Sequence, residues 1–285
     1  MRKALGLFLI ISLIISVAYA DKVDEAIRKL EKQGTRKEAI RDIEKIVNQA
    51  GPSLVKMAKD KSKKQNTRIS AIMLLGNIKA ERARESLEEI LEKDEDKFCR
   101  EASAIGLGKL EDKKAKPKLK QALNDKAGNV RMRAAWALAN MGDDSGYELT
   151  LETIKGKDIT AQLLAIDALE AIGNKKAIPI LKQNLDSENV WVRIHSKLAI
   201  KRLEILGLSE IEKLNFLKKT LKDEQFEVNN WAAVELGRIA LSDIPESQPA
   251  IDILRNTAMD SRIPGSYAAN KMVRRLIELG KIKEQ

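Results

Sequence analysis

One eight-residue phrase returns along the chain at a nearly constant interval, and no other feature restricts the fold so tightly. It reads Ala71-Ile-Met-Leu-Leu-Gly76-Asn-Ile78, then recurs at Ser103 to Leu110 after 32 residues, and at Ala134 to Met141, Ala165 to Ile172 and Ser196 to Leu203 in steps of 31. After a longer step of 36 it returns at Ala232 to Ile239, and a weaker copy spans Ala269 to Leu276. A fixed period in this range marks stacked supersecondary units, none of which can bury its apolar face alone.

Each unit reads as two helices. Apolar residues recur at helical spacing, as in Val130, Ala134, Leu138 and Met141, and no alternating pattern lies between the copies. Gly142-Asp143 and Gly173-Asn174 mark helix ends, where glycine relieves the left-handed position. Pro117 and Pro179 stand 62 residues apart, two periods, at the first turn of the following helix, where a missing N–H costs least. Leu119, Leu123, Ile180 and Leu185 give that helix its own apolar face. Only 15 Gly and 6 Pro in 285 residues leave too few turns for an all-β chain. The expected fold is all-α, a right-handed α-solenoid of about seven stacked helix pairs. Residues 21–65 are expected to form a divergent N-terminal cap, 66–260 the regular repeats and 261–285 a C-terminal cap.

Residues 1–20 read as an address. Arg2 and Lys3 precede a mostly apolar stretch from Ala4 to Val17, and Ala18-Tyr19-Ala20 supplies small residues at the cleavage-determining positions. Cleavage before Asp21 is expected, with an uncleaved membrane anchor as the alternative; the apolar run is short for a span. Losing Arg2 and Lys3 lowers the formal charge from +10 by two. The expected location is exported, periplasmic or extracellular. A basic chain there meets acidic proteins, anionic lipid headgroups or acidic polysaccharide, and nucleic acid is not expected as a partner.

Catalytic and metal signatures fail in turn. One Cys and one His cannot build a Cys/His zinc cage or an internal disulfide. Gly106-Leu-Gly108 lacks the rest of a dinucleotide fingerprint. Asp94-Glu95-Asp96 lacks the spaced ligands of a calcium loop. Ser196 beside His195 cannot form a triad, since adjacent helical residues point apart. No catalytic residue, metal or cofactor is expected. Cys99 falls in the column of Thr67, Val130, Val192 and Val228 and is expected in the core.

The phrases Asp125…Val130-Arg131-x-x-Ala134-Ala135-x-x-Leu138…Gly142-Asp143, Val192-Arg193 and Ala177-Ile-Pro179-x-Leu181 resemble the HEAT-repeat family, particularly its short bacterial form also found in bilin lyases. The resemblance covers about residues 66–280. It implies a HEAT-like superhelix in which the Arg after the apolar residue joins a ladder with acidic residues of adjoining turns. Arg68, Arg100, Arg131 and Arg193 match, while Gln162 and Asn229 depart, so the ladder is expected to break at those two repeats. The resemblance also implies that the phrase-bearing helices line the concave surface.

Stacking the copies turns each position into a column. One holds Ala102, Arg133, Leu164, His195 and Trp231; another Met73, Ile105, Trp136, Asp167, Leu198 and Val234; a third Lys109, Asn140, Ala171, Arg202 and Arg238. Large aromatics beside arginines fit a binding groove, because Trp and Arg dominate hot spots. Arg133, Trp136, His195, Arg202, Trp231 and Arg238 are therefore the candidate site for an acidic or extended ligand. The alternative is that Trp136 and Trp231 fill gaps between repeats while the arginines pair with carboxylates. Lys59, Lys61, Lys63 and Lys64, and Lys113, Lys114, Lys116, Lys118 and Lys120, form cationic runs that would give a membrane surface a foothold. The expected function is a non-enzymatic, monomeric scaffold holding a protein or acidic peptide. An enzyme accessory or lyase-like protein, or a membrane-surface protein held by its anchor, is the alternative.

Overall fold

The alternation of phrase and second apolar face produces alternating helices and, among the described residues, no strand. The structure, a computed structural model, describes residues 47–77 and 83–283, with Lys29 and Asp42 as isolated positions. The expected signal peptide (1–20) and most of the expected N-terminal cap lie outside the described residues. The described chain divides between Gly156 and Lys157 into two units.

The first unit contains α1 (Val47–Lys59), α2 (Gln65–Asn77), α3 (Ala83–Lys93), α4 (Lys97–Leu110), α5 (Lys116–Ala122), α6 (Gly128–Asn140) and α7 (Tyr147–Thr153). The second contains α8 (Ile159–Ile172), α9 (Ile178–Gln183), α10 (Val190–Glu204), α11 (Glu210–Thr220), α12 (Phe226–Leu241), α13 (Ser247–Met259) and α14 (Ser266–Glu278). The even-numbered helices carry the repeated phrase. Their starts are chemically specified: the side chains of Asp96, Asp158 and Asn189 accept from backbone N–H groups that α4, α8 and α10 leave without intrahelical partners. Ser209 and Glu212 close a reciprocal capping box on α11. Gly173 ends α8 at φ 70°, a conformation costly for any residue with a Cβ.

The phrase is a burial pattern. Its first position, Ala71, Ser103, Ala134, Ala165, Ser196, Ala232 and Ala269, is fully buried in every copy. Its fifth, Leu75, Leu107, Leu138, Leu169, Ile200 and Leu236, is buried in each of the six regular copies. Small residues at the first let the partner helix approach, and branched residues at the fifth fill the space between. Cys99 is fully buried, as its column predicts, and burial pushes its thiol up to about 11.

In the first unit the phrase-bearing helices, termed the inner helices, approach one another closely at glycine. A Cβ on Gly76 of α2 would stand 2.5 Å from the Cα of Gly106 on α4, and one on Gly108 would stand 2.8 Å from Trp136 and 2.9 Å from Ala137 on α6. Only hydrogen fits at these crossings.

The arginine ladder differs from expectation in an instructive way. Arg68 pairs with Asp94, and Arg100 pairs with Asp125 at 2.8 Å, each reaching one repeat forward. Arg131 makes no ion pair among the described residues, because the equivalent position one period on is Gly156; the ladder of ion pairs stops there, before Gln162. Arg100, Arg131 and Arg193 also donate to the carbonyl six residues back, of Asp94, Asp125 and Ser187. Asn229, where a break was expected, keeps this bond: its Nδ2 donates to the Asp223 carbonyl at 3.0 Å. Clamping the local loop needs only an amide N–H, whereas reaching the next repeat needs a long side chain, and Lys197 supplies that reach to Asp223 at 2.8 Å.

Candidate functional site

The six candidate residues divide between the two units. Arg133 and Trp136 belong to α6. Trp136 packs on the first unit's core with its ring edge over Gly108, and Arg133 Nε stands 3.6 Å from Glu101. In that place Trp136 fills the space that glycine leaves between α4 and α6.

His195, Arg202, Trp231 and Arg238 belong to α10 and α12 of the second unit. The imidazole Nδ1 of His195 lies 3.8 Å from Asp167 on α8, and that carboxylate holds the imidazole above its usual range against the opposing effect of burial. Two turns along α10, Arg202 donates to Glu170 at 2.7 Å. Burial raises the Glu170 carboxyl above its ordinary range despite the Arg202 charge beside it. Trp231 is only 8% exposed and belongs to the second unit's core. Arg238 is exposed and pairs with Glu235 at 3.0 Å.

Three of these four meet at one place. Arg202, Trp231 and Arg238 line a cleft of about 530 Å³ between α10 and α12, together with Lys213, Glu170 and Leu206. The cleft follows from the longer step in the period. Where α8 turns at Gly173 directly after its phrase, α10 ends at Glu204 and the chain runs on through Ile205 and Leu206 in a turn that reaches Gly207, whose φ is 74°. Ile205, Leu206 and Gly207 form one wall. Inner helices α10 and α12 consequently meet along less of their length than α2 and α4 or α4 and α6 do. The edge of Trp231 supplies an apolar floor, and three cations line the rim, each paired with a carboxylate of the protein: Arg202 with Glu170, Arg238 with Glu235 and Lys213 with Glu210. His195 does not line this cleft; it faces Asp167 instead.

A second cleft, of about 480 Å³, adjoins the first through Val234, which lines both. Tyr267, Lys271, Met272, Arg274 and Arg275 of α14 form its other side. Column reasoning stopped short of these residues. The step from Ala232 to Ala269 is 37, and carrying the columns across it places Lys271 in register with Val234, and Arg275 in register with Arg202 and Arg238. That signal is in the sequence, in the weak seventh copy.

The lysine runs are largely tied to the protein's own carboxylates. Lys59 pairs with Glu89, Lys61 with Glu95, Lys118 with Glu92, and Lys120 and Lys116 with Asp143. Among the described residues no helix is long and apolar enough to cross a membrane, and no group of His, Cys, Asp or Glu side chains is gathered as a metal ion requires.

Over 153 residues, 52% of this chain and 75% of the relative, the sequence is 27% identical to the "Uncharacterized phycocyanin operon protein Z" of Pseudanabaena tenuis (strain PCC 7409). Among solved structures it is similar to the complex of CpcE and CpcF of phycocyanin lyase from Nostoc sp. PCC7120, at 20% identity, 78% of this chain, 93% of that chain and a TM-score of 0.49. It is also similar to YibA of Escherichia coli, at 18% identity, 90% of this chain, 96% of that chain and a TM-score of 0.49. Residues 21–108, 100–153 and 116–201 each match the family described as HEAT repeats. These matches span well over half of the chain, on the same repeats whose buried columns are described above, and the chain belongs to the HEAT-repeat family.

Proposed function

We propose that this protein is an exported, non-enzymatic scaffold that holds an acidic segment of a partner protein against the inner helices of its second unit. The observation that carries this reading is the cleft between α10 and α12, where Arg202, Lys213 and Arg238 surround the edge of Trp231. An extra turn of chain keeps this surface open, whereas the inner-helix crossings of the first unit are filled by Gly76, Gly106 and Gly108. A carboxylate entering the cleft competes with Glu170 for Arg202 and with Glu235 for Arg238, exchanging one half-exposed ion pair for another. Affinity must then come mainly from covering the exposed Leu206, with only the edge of Trp231 added, and specificity from charge. Export rests on residues 1–20.

The test has two arms. The mass of protein recovered from the envelope fraction is expected to begin at Asp21; a chain retaining residues 1–20 in a membrane pellet contradicts export in soluble form. Crosslinking from envelope extract is expected to capture a partner with the wild type and not with Arg202→Ala/Arg238→Ala of equal helicity. Equal capture by both contradicts the cleft. A second reading, an accessory to an enzyme, starts from the likeness of the repeat phrases to those of bilin lyases. It predicts that the captured partner is a catalytic subunit.

A further inference from the structure

We propose that the cleft between α12 and α14 is an anchor site for one large apolar side chain of the same acidic segment, so that the ligand crosses α12 from Arg202 and Arg238 toward Tyr267. The proposal rests on the reading above and names the ligand's chemistry more closely: carboxylates flanking one aromatic or leucine side chain.

Two features of this cleft point to such a ligand. The first is apolar surface left in water on facing helices. Val234 of α12 and Tyr267 of α14 are 46% and 69% exposed; Met272 and the buried Ala268 complete the apolar part of a lining that also holds Asn230, Asn270 and Glu278. Tyr267 is steadied by Phe226, whose ring centroid lies 6.2 Å away at 48°. A tyrosine so placed offers a rigid apolar face at low entropic cost, the usual make-up of an anchor pocket.

The second is charge without internal compensation. Arg275 pairs with Glu278 at 3.1 Å, but Lys271 and Arg274 make no ion pair among the described residues. This differs from the cleft beside it, where Arg202 and Arg238 each hold a glutamate. An anionic ligand reaching Lys271 and Arg274 displaces nothing but water. The shared residue Val234 makes the two clefts one continuous surface across α12, so a single segment can place its apolar side chain on Tyr267 and Met272 while its carboxylates meet cations on both sides. A purely acidic ligand would leave the Tyr267 face uncovered, and a purely apolar one would leave Lys271 and Arg274 unmatched.

The test is a double-mutant cycle on the full chain, read by fluorescence anisotropy with two labelled glutamate-rich peptides, one containing a single Phe and the other Ala in its place. Tyr267→Ala and the peptide Phe→Ala change are each expected to weaken binding about tenfold, and together no more than either alone, because both remove one contact. Lys271→Ser/Arg274→Ser is expected to weaken both peptides and to flatten the salt dependence. Tyr267 is largely exposed, so an unchanged melting temperature separates lost contact from lost fold. Losses that multiply independently, or a Phe peptide indifferent to Tyr267→Ala while still sensitive to Arg202→Ala/Arg238→Ala, overturn the anchor site and leave the first cleft standing. Binding that ignores Arg202→Ala/Arg238→Ala, or no binding of either peptide by the wild type, overturns the reading on which it rests.

Discussion

At the register position where α2 and α4 carry Gly76 and Gly108, α8 and α10 carry Glu170 and Lys201. In the first unit the inner helices cross with no room for a Cβ, and a buried ion-pair ladder, Arg68 to Asp94 and Arg100 to Asp125, ties each repeat to the next. In the second unit α8 and α10 carry charged residues there while α12 returns to glycine at Gly237, where the flexible Met272 side chain fills the space; the Arg202–Glu170 pair is partly exposed, and α10 and α12 meet along less of their length. One repeat phrase thus yields a closed inner seam or an open one, according to what stands at a single column and how long the turn is. Closure serves stability; opening leaves surface for a ligand.

The contrast is sharpest in the arginines. Arg100 and Asp125 are 4% and 12% exposed, so Arg100→Ala leaves a buried carboxylate without its cation and is expected to cost about 3–5 kcal/mol. Arg202→Ala, breaking a pair whose partners are 37% and 29% exposed, is expected to cost about 1 kcal/mol. Urea denaturation of the two variants reads the difference, and equal costs would erase the distinction between the units.

The glycine seam predicts the next largest effect. Gly76→Ala forces α2 from the backbone of α4 and is expected to cost about 1–3 kcal/mol, as overpacking does. Gly237→Ala in α12 meets the flexible Met272 side chain instead and is expected to cost less. Thermal melts of the pair decide whether crossings between phrase-bearing helices are tighter in the first unit.

Acid should also act on the first unit through Asp143. Burial works against its charge, but hydrogen bonds from Ser145 and the Lys120 ammonium outweigh it and bring the carboxyl down to about 2. A folded value below the unfolded one, about 3.9 for Asp, contributes stability above pH ~4 that is lost as pH falls toward ~2. Asp143→Asn is expected to remove that part of the acid dependence, on the order of 1 kcal/mol after screening. A wild-type stability profile unchanged by the substitution would contradict it.

The smallest effect separates two serines of one column. Ser103 donates to the Leu87 carbonyl at 2.6 Å, while the buried Ser196 hydroxyl finds no partner among the described residues. Ser103→Ala is expected to cost about 1 kcal/mol and Ser196→Ala nothing, or to stabilise slightly, in the same denaturation series.

The repeat phrase made the helices, their order, the buried columns and the core position of Cys99 legible, because each is a local pattern copied many times. The ladder was legible as a column but not in its two roles: Asn229 looks like a break until its bond to the Asp223 carbonyl separates loop clamping from repeat pairing. Of the candidate site, Arg202, Trp231 and Arg238 come together in one cleft, while Trp136 seats itself over Gly108. A column cannot tell these apart, since whether a Trp fills a gap or floors a cleft depends on the glycine and turn length of a neighbouring helix. Lys271 and Arg275 needed the columns carried into the divergent last copy.

The most direct test of an acidic-ligand site in the second unit holds net charge constant. Binding of a labelled glutamate-rich peptide to the full chain would be measured for Arg202→Glu/Arg238→Glu beside Lys113→Glu/Lys114→Glu, which makes the same charge change at exposed residues of the first unit. The cleft variant is expected to lose about tenfold or more in affinity and the lysine variant little. Equal losses in both would mean that the peptide reads only the protein's overall charge, and would contradict the account.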